Sequence, residues 1–328
     1  MGIIAASRLR ASAIRPFIIE VDTTKVGTPS NQLQFTGALG DYDVVAKQND
    51  IVVATFDNLS GEATITLPSS GVYDLEIKSK NLNGFNRIRF NNGGDKLKIT
   101  DIKQWGDVVW SSFERTFFGC SNMLTTATDV PNLSSVINMS VMFANASSAN
   151  PDTSNWDVGS VTNMGSMFEN AISANPNTSN WDVSSVTSMF AMFFNARSAN
   201  PDTSNWDVSN VTTMQFMFRS ASSANPDTTS WDVSSVASTS FMFLGASIAN
   251  PNMRNWDISS ITSMSRMLEN SNLSVENLTT CYENWSQLNL QQNVDFSAGT
   301  TKYNTSGQAG RDILVNTYNW SITDGGPA

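Results

Sequence analysis

A repeat of 25 residues in the middle of the chain constrains its fold more than any other feature. One tryptophan marks the period, at Trp156, Trp181, Trp206, Trp231 and Trp256. A Met-Phe pair keeps the same spacing, at residues 142–143, 167–168, 192–193, 217–218 and 242–243, with Phe117-Phe118 before it and Met267-Leu268 after it. About seven units are therefore visible over residues 101–270. A fixed period of this length predicts a solenoid, in which each unit buries its apolar face against its neighbours.

Apolar spacing within one unit predicts its local structure. Trp156 and Val158 alternate with polar residues, which is typical of a strand. The spacing that follows from Val161 to Ala171 suits a short 3₁₀ or helical turn with one apolar face. Asn175-Pro176 ends the unit, because proline cannot continue a helix. We expect stacked units whose strands pair in parallel, with the methionines and aromatic rings forming the core rather than a ligand-binding stripe.

The unit Asn180–Ser204, NWDVSSVTSMFAMFFNARSANPDTS, resembles the repeat of the BspA-like leucine-rich repeat proteins, the DUF285 family. The segments Arg89–Lys96 and Gln104–Gly106 before the array, and Asn319–Gly326 after it, are also similar to that family. The likeness covers roughly residues 87–326. It implies a leucine-rich-repeat-like solenoid with an adhesive or recognition role, as in bacterial surface proteins and some phage proteins. It implies no catalytic residue.

The complete fold prediction is mainly β, in four parts. Residues 1–16 form an N-terminal arm, either a disordered leader or a docking arm. Residues 17–92 are predicted to be an Ig-like β-sandwich. They contain seven short strand patterns, at residues 17–21, 34–36, 42–45, 51–56, 63–67, 73–77 and 87–90. Residues 93–270 form the solenoid, and residues 271–328 form a C-terminal cap with a helix near Ala309–Asn316 and a last strand at Trp320–Thr323.

Composition excludes several classes of function. The chain of 328 residues has a net charge of −10, which disfavours nucleic acid as a partner. It contains no histidine, the usual general base and metal ligand at neutral pH. Its two cysteines, Cys120 and Cys281, lie in the first unit and beyond the last, so we expect free thiols buried at opposite ends. No apolar run is long enough for a membrane span. We therefore expect no catalytic site, cofactor or metal.

One row of carboxylates is the candidate binding face. Its members, Asp157, Asp182, Asp207, Asp232 and Asp257, each lie between two inward-facing apolar residues and so point outward. Like charges in register are unfavourable unless something compensates them. The carboxylates either accept hydrogen bonds from the residues that follow in Asx turns, which we favour, or hold cations such as calcium. A second row, at Asn150, Asn175, Asn200, Asn225 and Asn250, predicts a hydrogen-bonded stack at the unit corners.

The function predicted is that of a non-enzymatic structural and recognition protein of a phage virion, as a tail fibre, tip or capsid decoration that attaches to the host. The start of the chain does not resemble a secretory signal, because Arg8, Arg10 and Arg15 interrupt its apolar stretch. The expected partners are other virion proteins, through the N-terminal region, and a host surface glycan or protein; a homo-oligomer is also open. The alternative is a bacterial cell-surface adhesin. A polysaccharide depolymerase is disfavoured, because the acidic positions in the array are repeated or isolated rather than paired in one unit.

Overall fold

A computed structural model describes residues 14–80 and 84–328. Within these residues the protein is mainly β, with two α-helices and no closed barrel. The strands are β1 Phe17–Asp22, β2 Gln32–Gln34, β3 Asp41–Gln48, β4 Ile51–Ser60, β5 Thr64–Thr66, β6 Val72–Ser79, β7 Ile99–Gln104, β8 Leu124–Thr125, β9 Asp295–Ser297 and β10 Ser321–Thr323. The helices are α1 Val275–Trp285 and α2 Gln308–Tyr318.

The N-terminal strands form a sheet of six strands in the order β4-β3-β6-β1-β7-β8. All neighbours are antiparallel except β7 and β8, and β2 pairs separately with β5. Alternate residues of β1 are buried, as the period of two predicts. Five of the seven predicted strands are confirmed, and a sixth, at residues 34–36, overlaps β2 only at Gln34. The seventh, Arg87–Phe90, is wrong, because this segment makes one bridge, between Leu39 and Arg87, and otherwise covers the core with Ile88 and Phe90.

Consecutive repeat units lie side by side and pair in parallel, as predicted. The pairing runs through one residue of each unit, at Asn138, Asn163, Ser188, Thr213, Ser238 and Ser263. The predicted strand at Trp156–Val158 is wrong, because that segment forms no ladder with the next unit. The expected alternation of buried and exposed residues is present there, but the backbone hydrogen bonds to the next unit lie after Val161 instead.

The turn that follows the bridge is not the short 3₁₀ or helical turn that the apolar spacing predicted. Its N–H groups alternate in direction: those of Ser166 and Phe168 donate to the next unit, while that of Met167 donates within its own unit to Met164. Such alternation requires a left-handed residue in the turn, and Ser166 has φ 55° and Asn170 has φ 56°. In a 3₁₀ helix each of these N–H groups would donate to the carbonyl three residues earlier in the same unit. Neighbouring units would then lack backbone hydrogen bonds to each other at this turn.

The core of the array is built from rows of identical side chains. The rings of Phe168, Phe193 and Phe218 stack with centroids 5.5–5.6 Å apart and planes within 6° of parallel. The repeated tryptophans are 1–2% exposed. Trp105 contacts both Phe17 of the first sheet and Trp156 of the array, so one continuous core joins the two regions.

The C-terminal residues continue the hydrogen bonding of the last unit. Met264 pairs in parallel with Phe296, and the Leu268 N–H donates to the Ser297 carbonyl. The predicted helix and last strand are confirmed as α2 and β10, while α1 was not predicted. Cys120 and Cys281 are free and buried, as expected.

The four domain boundaries, the Ig-like class of the first sheet and the solenoid class of the array stay predictions. Most of the predicted N-terminal arm, residues 1–13, lies outside the described residues. Its described end contacts the array, because Arg15 pairs with Asp107 at 2.9 Å and with Asp129 at 3.4 Å.

Candidate functional site

The predicted carboxylate row lies on the surface, and each member closes a local turn. The Oδ1 atom of Asp182 accepts hydrogen bonds from the backbone N–H and the hydroxyl of Ser184, at 3.0 and 2.6 Å. The other four members accept the N–H of the residue two positions on: Asp157, Asp207, Asp232 and Asp257. The Asx turns predicted from the sequence are therefore present.

These turns also set the electrostatics of the row. The serine hydroxyls two residues on, followed by the serine N–H groups, hold the pKa of Asp182, Asp207 and Asp232 below the usual value. Within the described part of the chain, no group of three or more acidic or cysteine side chains is placed to hold a metal ion. The row stays a predicted binding face. Each of its carboxylates accepts a hydrogen bond from the residue two positions on, within its own turn.

The asparagine row forms the corner stack that the sequence predicts. The side-chain oxygen of Asn175 accepts the N–H of Asn200 at 2.9 Å, and the same bond recurs from Asn150 to Asn250. A buried threonine row, which sequence reasoning missed, supports it. Thr153, for example, donates its hydroxyl to the Asn177 carbonyl at 2.7 Å. Thr178, Thr203 and Thr228 repeat the contact.

A different surface departs from the repeat, which is where a specific site is expected. Aromatic and arginine side chains occur at positions whose residue type varies from one unit to the next. We call this surface the aromatic–arginine face; it comprises Phe190, Phe194, Phe216, Arg219, Phe241 and Arg266. The positions equivalent to Phe190 and Phe216 in the unit before are Gly165 and Ala191. The regular core does not need these rings, because the repeated Met-Phe pairs already fill it.

The backbone is left-handed at two positions of the face. Phe216 and Phe241 both have φ 61°, in the left-handed region that bulky residues rarely adopt. Inter-unit hydrogen bonds hold them there, from the Phe216 N–H to the Ser240 carbonyl at 3.1 Å and from the Phe241 N–H to the Ser265 carbonyl at 2.9 Å. The same conformation recurs at this position of the other units, so the repeat itself imposes it, and the two rings are half-buried at the surface.

The rings form a continuous aromatic surface across three units. Phe190 meets Phe216 edge to face at 5.5 Å, and Phe216 stacks on Phe241 at 4.9 Å. Phe190 remains 40% exposed. The guanidinium of Arg219 lies 5.3 Å from the Phe194 ring, and also within 5.8 Å of the rings of Phe216 and Phe241. Cation–π contacts of this kind fix an arginine without neutralising it.

The charge on Arg219 is available for a ligand. Among the residues that the structure describes, Arg219 forms no ion pair, whereas Arg266 pairs with Glu269 at 2.8 Å. Arg219 lines a surface pocket of about 190 Å³ together with Phe190, Phe194 and Glu169. The pocket thus combines exposed ring edges with one unpaired cation. Sequence reasoning missed it by treating these phenylalanines as part of the repeat; a comparison of each unit with its neighbours would have identified the substituted positions.

The model of one protein family matches the chain at residues 111–229 and 177–285, which together span more than half of the 328 residues. Its description is "Mycoplasma protein of unknown function, DUF285". The chain belongs to the DUF285 family. The matched range contains the whole aromatic–arginine face and the five carboxylates of the Asp row.

Searches of curated proteins and of solved structures found no match to this DUF285 protein. None of the helices in the described residues combines the length and the apolar character that crossing a membrane requires. The function of this member therefore has to be inferred from its own surfaces.

Proposed function

We propose that this DUF285 protein is a non-enzymatic recognition protein. Its array is a leucine-rich-repeat-like solenoid that follows an Ig-like sandwich, and it presents the aromatic–arginine face to a partner. The observation that carries the proposal is the unpaired Arg219, held on three rings at positions where the repeat is broken. A repeat array with one irregular surface suits binding better than catalysis, since the histidine-free chain lacks the usual general base.

The chemistry of the face favours a protein surface as the partner. Clustered aromatic residues with arginine are typical of binding hot spots between proteins. An apolar side chain of the partner would cover the exposed edge of Phe190, and a neighbouring carboxylate would pair with Arg219. The array around the face is acidic, with 4 basic and 10 acidic side chains over residues 137–270, which disfavours a polyanion such as nucleic acid.

Selection from a random peptide library tests the partner chemistry. The protein is immobilised, and the selected peptides are sequenced. We expect enrichment of an aromatic or aliphatic residue close to Asp or Glu. Selected peptides should bind Phe190→Ala and Arg219→Ala at least tenfold more weakly, as expected for a lost hot-spot residue. Arg254→Ala is the matched control, because Arg254 is an exposed arginine outside the face, and it should bind normally. Selection without this pattern, or equal binding by all three variants, would refute the proposal.

The biological setting that we propose is the surface of a phage particle, as a tail fibre, tip or capsid decoration, attached to other virion proteins through the N-terminal region. The surface of a bacterial cell is the alternative. Family resemblance supports both, because repeats of this type occur in bacterial surface proteins and in phage proteins. Mass spectrometry of purified particles and of proteins released from intact cells by protease distinguishes them. Detection in cells alone would exclude the virion.

A further inference from the structure

Three arginines converge on a second cavity, far along the chain from the aromatic–arginine face. Arg87 and Arg89 belong to the segment between β6 and β7, and Arg115 belongs to the first repeat unit. Ile88 and Phe90 point into the core, so the alternate residues Arg87 and Arg89 face the cavity side. Thr36 and Glu62 also line the cavity, which is open to solvent and has a volume of about 330 Å³. We call this cavity the arginine pocket.

The positive charges in the arginine pocket exceed the negative charges that contact them. The Glu114 carboxylate forms ion pairs with two arginines, Arg89 at 2.9 Å and Arg115 at 3.8 Å. Glu62 accepts the Gly37 N–H at 2.8 Å. The guanidinium of Arg87 donates to the Gly37 carbonyl at 3.3 Å and forms no ion pair within the described ranges. Three guanidinium groups therefore meet two carboxylates, in a protein whose net charge is −10.

Two polar atoms of the arginine pocket are buried without a hydrogen-bond partner. They are the Nε of Arg89 and the hydroxyl oxygen of Thr36. Buried polar side-chain atoms usually find a partner in folded proteins, so each exception requires an explanation. Both atoms are closed off from solvent in this conformation, so a ligand would reach them only after the half-buried side chains of Arg89 and Thr36 rotate towards the cavity. The charge surplus is therefore the observation that carries the inference, and these two atoms are groups that such a rotation would satisfy.

We propose that the arginine pocket binds an oxyanion group, a carboxylate or a phosphate, carried by a small polar molecule such as an acidic sugar. The planar guanidinium group matches the geometry of both anions and binds them through two parallel hydrogen bonds. Thr36 and Asn91 supply hydrogen-bonding groups for hydroxyls, and the described residues of the lining include no aromatic ring. The cavity size and lining therefore suit a monosaccharide-sized anion better than an apolar ligand.

Calorimetric titration of the full chain tests the proposal with four probes: glucuronate, glucose 6-phosphate, inorganic phosphate and uncharged glucose. We expect the anions to bind and glucose not to bind. If only glucuronate binds, the natural ligand carries a carboxylate; if glucose 6-phosphate and inorganic phosphate bind, it carries a phosphate. Either result supports the site. Arg87→Gln should weaken anion binding about tenfold, which corresponds to about 1.4 kcal/mol. Arg254→Gln is the control and should bind like the original protein.

A second variant keeps the test independent of any loss of folding. Glu62→Gln removes a negative charge from the wall of the arginine pocket while keeping the oxygen that accepts the Gly37 N–H. Anion binding should become severalfold tighter, because a like charge near the ligand is removed. The proposal fails if glucose binds as tightly as the anions, if no anion binds at millimolar concentration, or if Arg87→Gln and Glu62→Gln leave the affinity unchanged.

Discussion

Replacing Phe193 by alanine measures how strongly the repeat units stabilise one another. Phe193 is fully buried, and its ring lies between Phe168 at 5.6 Å and Phe218 at 5.5 Å. Truncating a buried phenylalanine costs about 3–5 kcal/mol. Each lost ring pair adds about 0.5–1.5 kcal/mol beyond the area term in measured cases. Because the substitution removes a ring contact on both sides, we expect the free energy of unfolding to fall by about 4–5 kcal/mol, at the upper end of the range for a buried phenylalanine.

Two matched variants calibrate this value. Phe190→Ala removes the same number of atoms three residues earlier, but that ring is 40% exposed, so we expect about 1 kcal/mol. Phe193→Leu introduces the residue that Leu268 provides at the same register of the last unit, where it is 1% exposed. We expect a cost of about 1–2 kcal/mol, between the two alanine variants.

Urea unfolding followed by tryptophan fluorescence gives the free energies, and hydrogen exchange locates the loss. In a stacked array, units contact only their neighbours, so protection should fall first in the units that contain Phe168, Phe193 and Phe218. An equal cost for Phe193→Ala and Phe190→Ala, or a loss of protection spread evenly over the chain, would refute the reasoning.

Three further predictions concern acid stability, thiol reactivity and a buried ion pair. The pKa of Asp207 is lowered in the folded state, so its contribution to stability is present above the unfolded pKa of about 3.9 and is lost as the pH falls through the folded value. Asp207→Asn keeps the acceptor atom but removes the charge, so its melting temperature should lie slightly below that of the original protein at pH 7, and the two should converge as the pH falls through the folded pKa; equal melting temperatures at pH 7 would contradict this. Burial raises the pKa of Cys120 and Cys281, so neither should react with a thiol reagent until the chain unfolds; rapid labelling of the native protein would contradict their burial. Lys98 and Asp95 form an ion pair at 3.4 Å, and both side chains are fully buried. Lys98→Met should therefore lower the free energy of unfolding in urea by about 3–5 kcal/mol, because it leaves the buried carboxylate without its cation; a cost below about 1 kcal/mol would contradict that role.

The sequence predicted features that depend on periodicity. The repeated tryptophans had to be buried, because every unit carries one at the same position, and they are. Periodicity did not reveal which backbone groups pair. Alternation at Trp156 and Val158 reflects burial alone, and the pairing instead runs through residues such as Asn163. Burial and hydrogen bonding coincide in an ordinary sheet, but here they lie on different segments of the unit.

Features that occur once were harder to predict. Helix α1 has recognisable helix signals in its sequence: Ser274 caps its N-terminus, and one face carries Leu278, Cys281, Tyr282 and Trp285. The helix was not predicted because its threonines have low helix propensity. The aromatic–arginine face was missed because Phe190 looks like one more apolar residue of the repeat. Lys98 and Asp95 are only three residues apart, but their burial against Thr28 depends on the tertiary fold, and the arginine pocket unites residues that are distant in the sequence. No local pattern in the sequence identifies such partners.

Distances between spin labels test the stacking of the units most directly. Ser160, Ser185, Ser235 and Ser260 are exposed at the same position of their units, and each is replaced in pairs by cysteine, since the two native thiols are buried. With about 4.8 Å per unit, the backbone separation should be about 14 Å for the 160/235 pair and about 19 Å for the 160/260 pair, each with a narrow distribution. Broad distributions, or distances that do not increase in proportion to the number of units, would contradict the account.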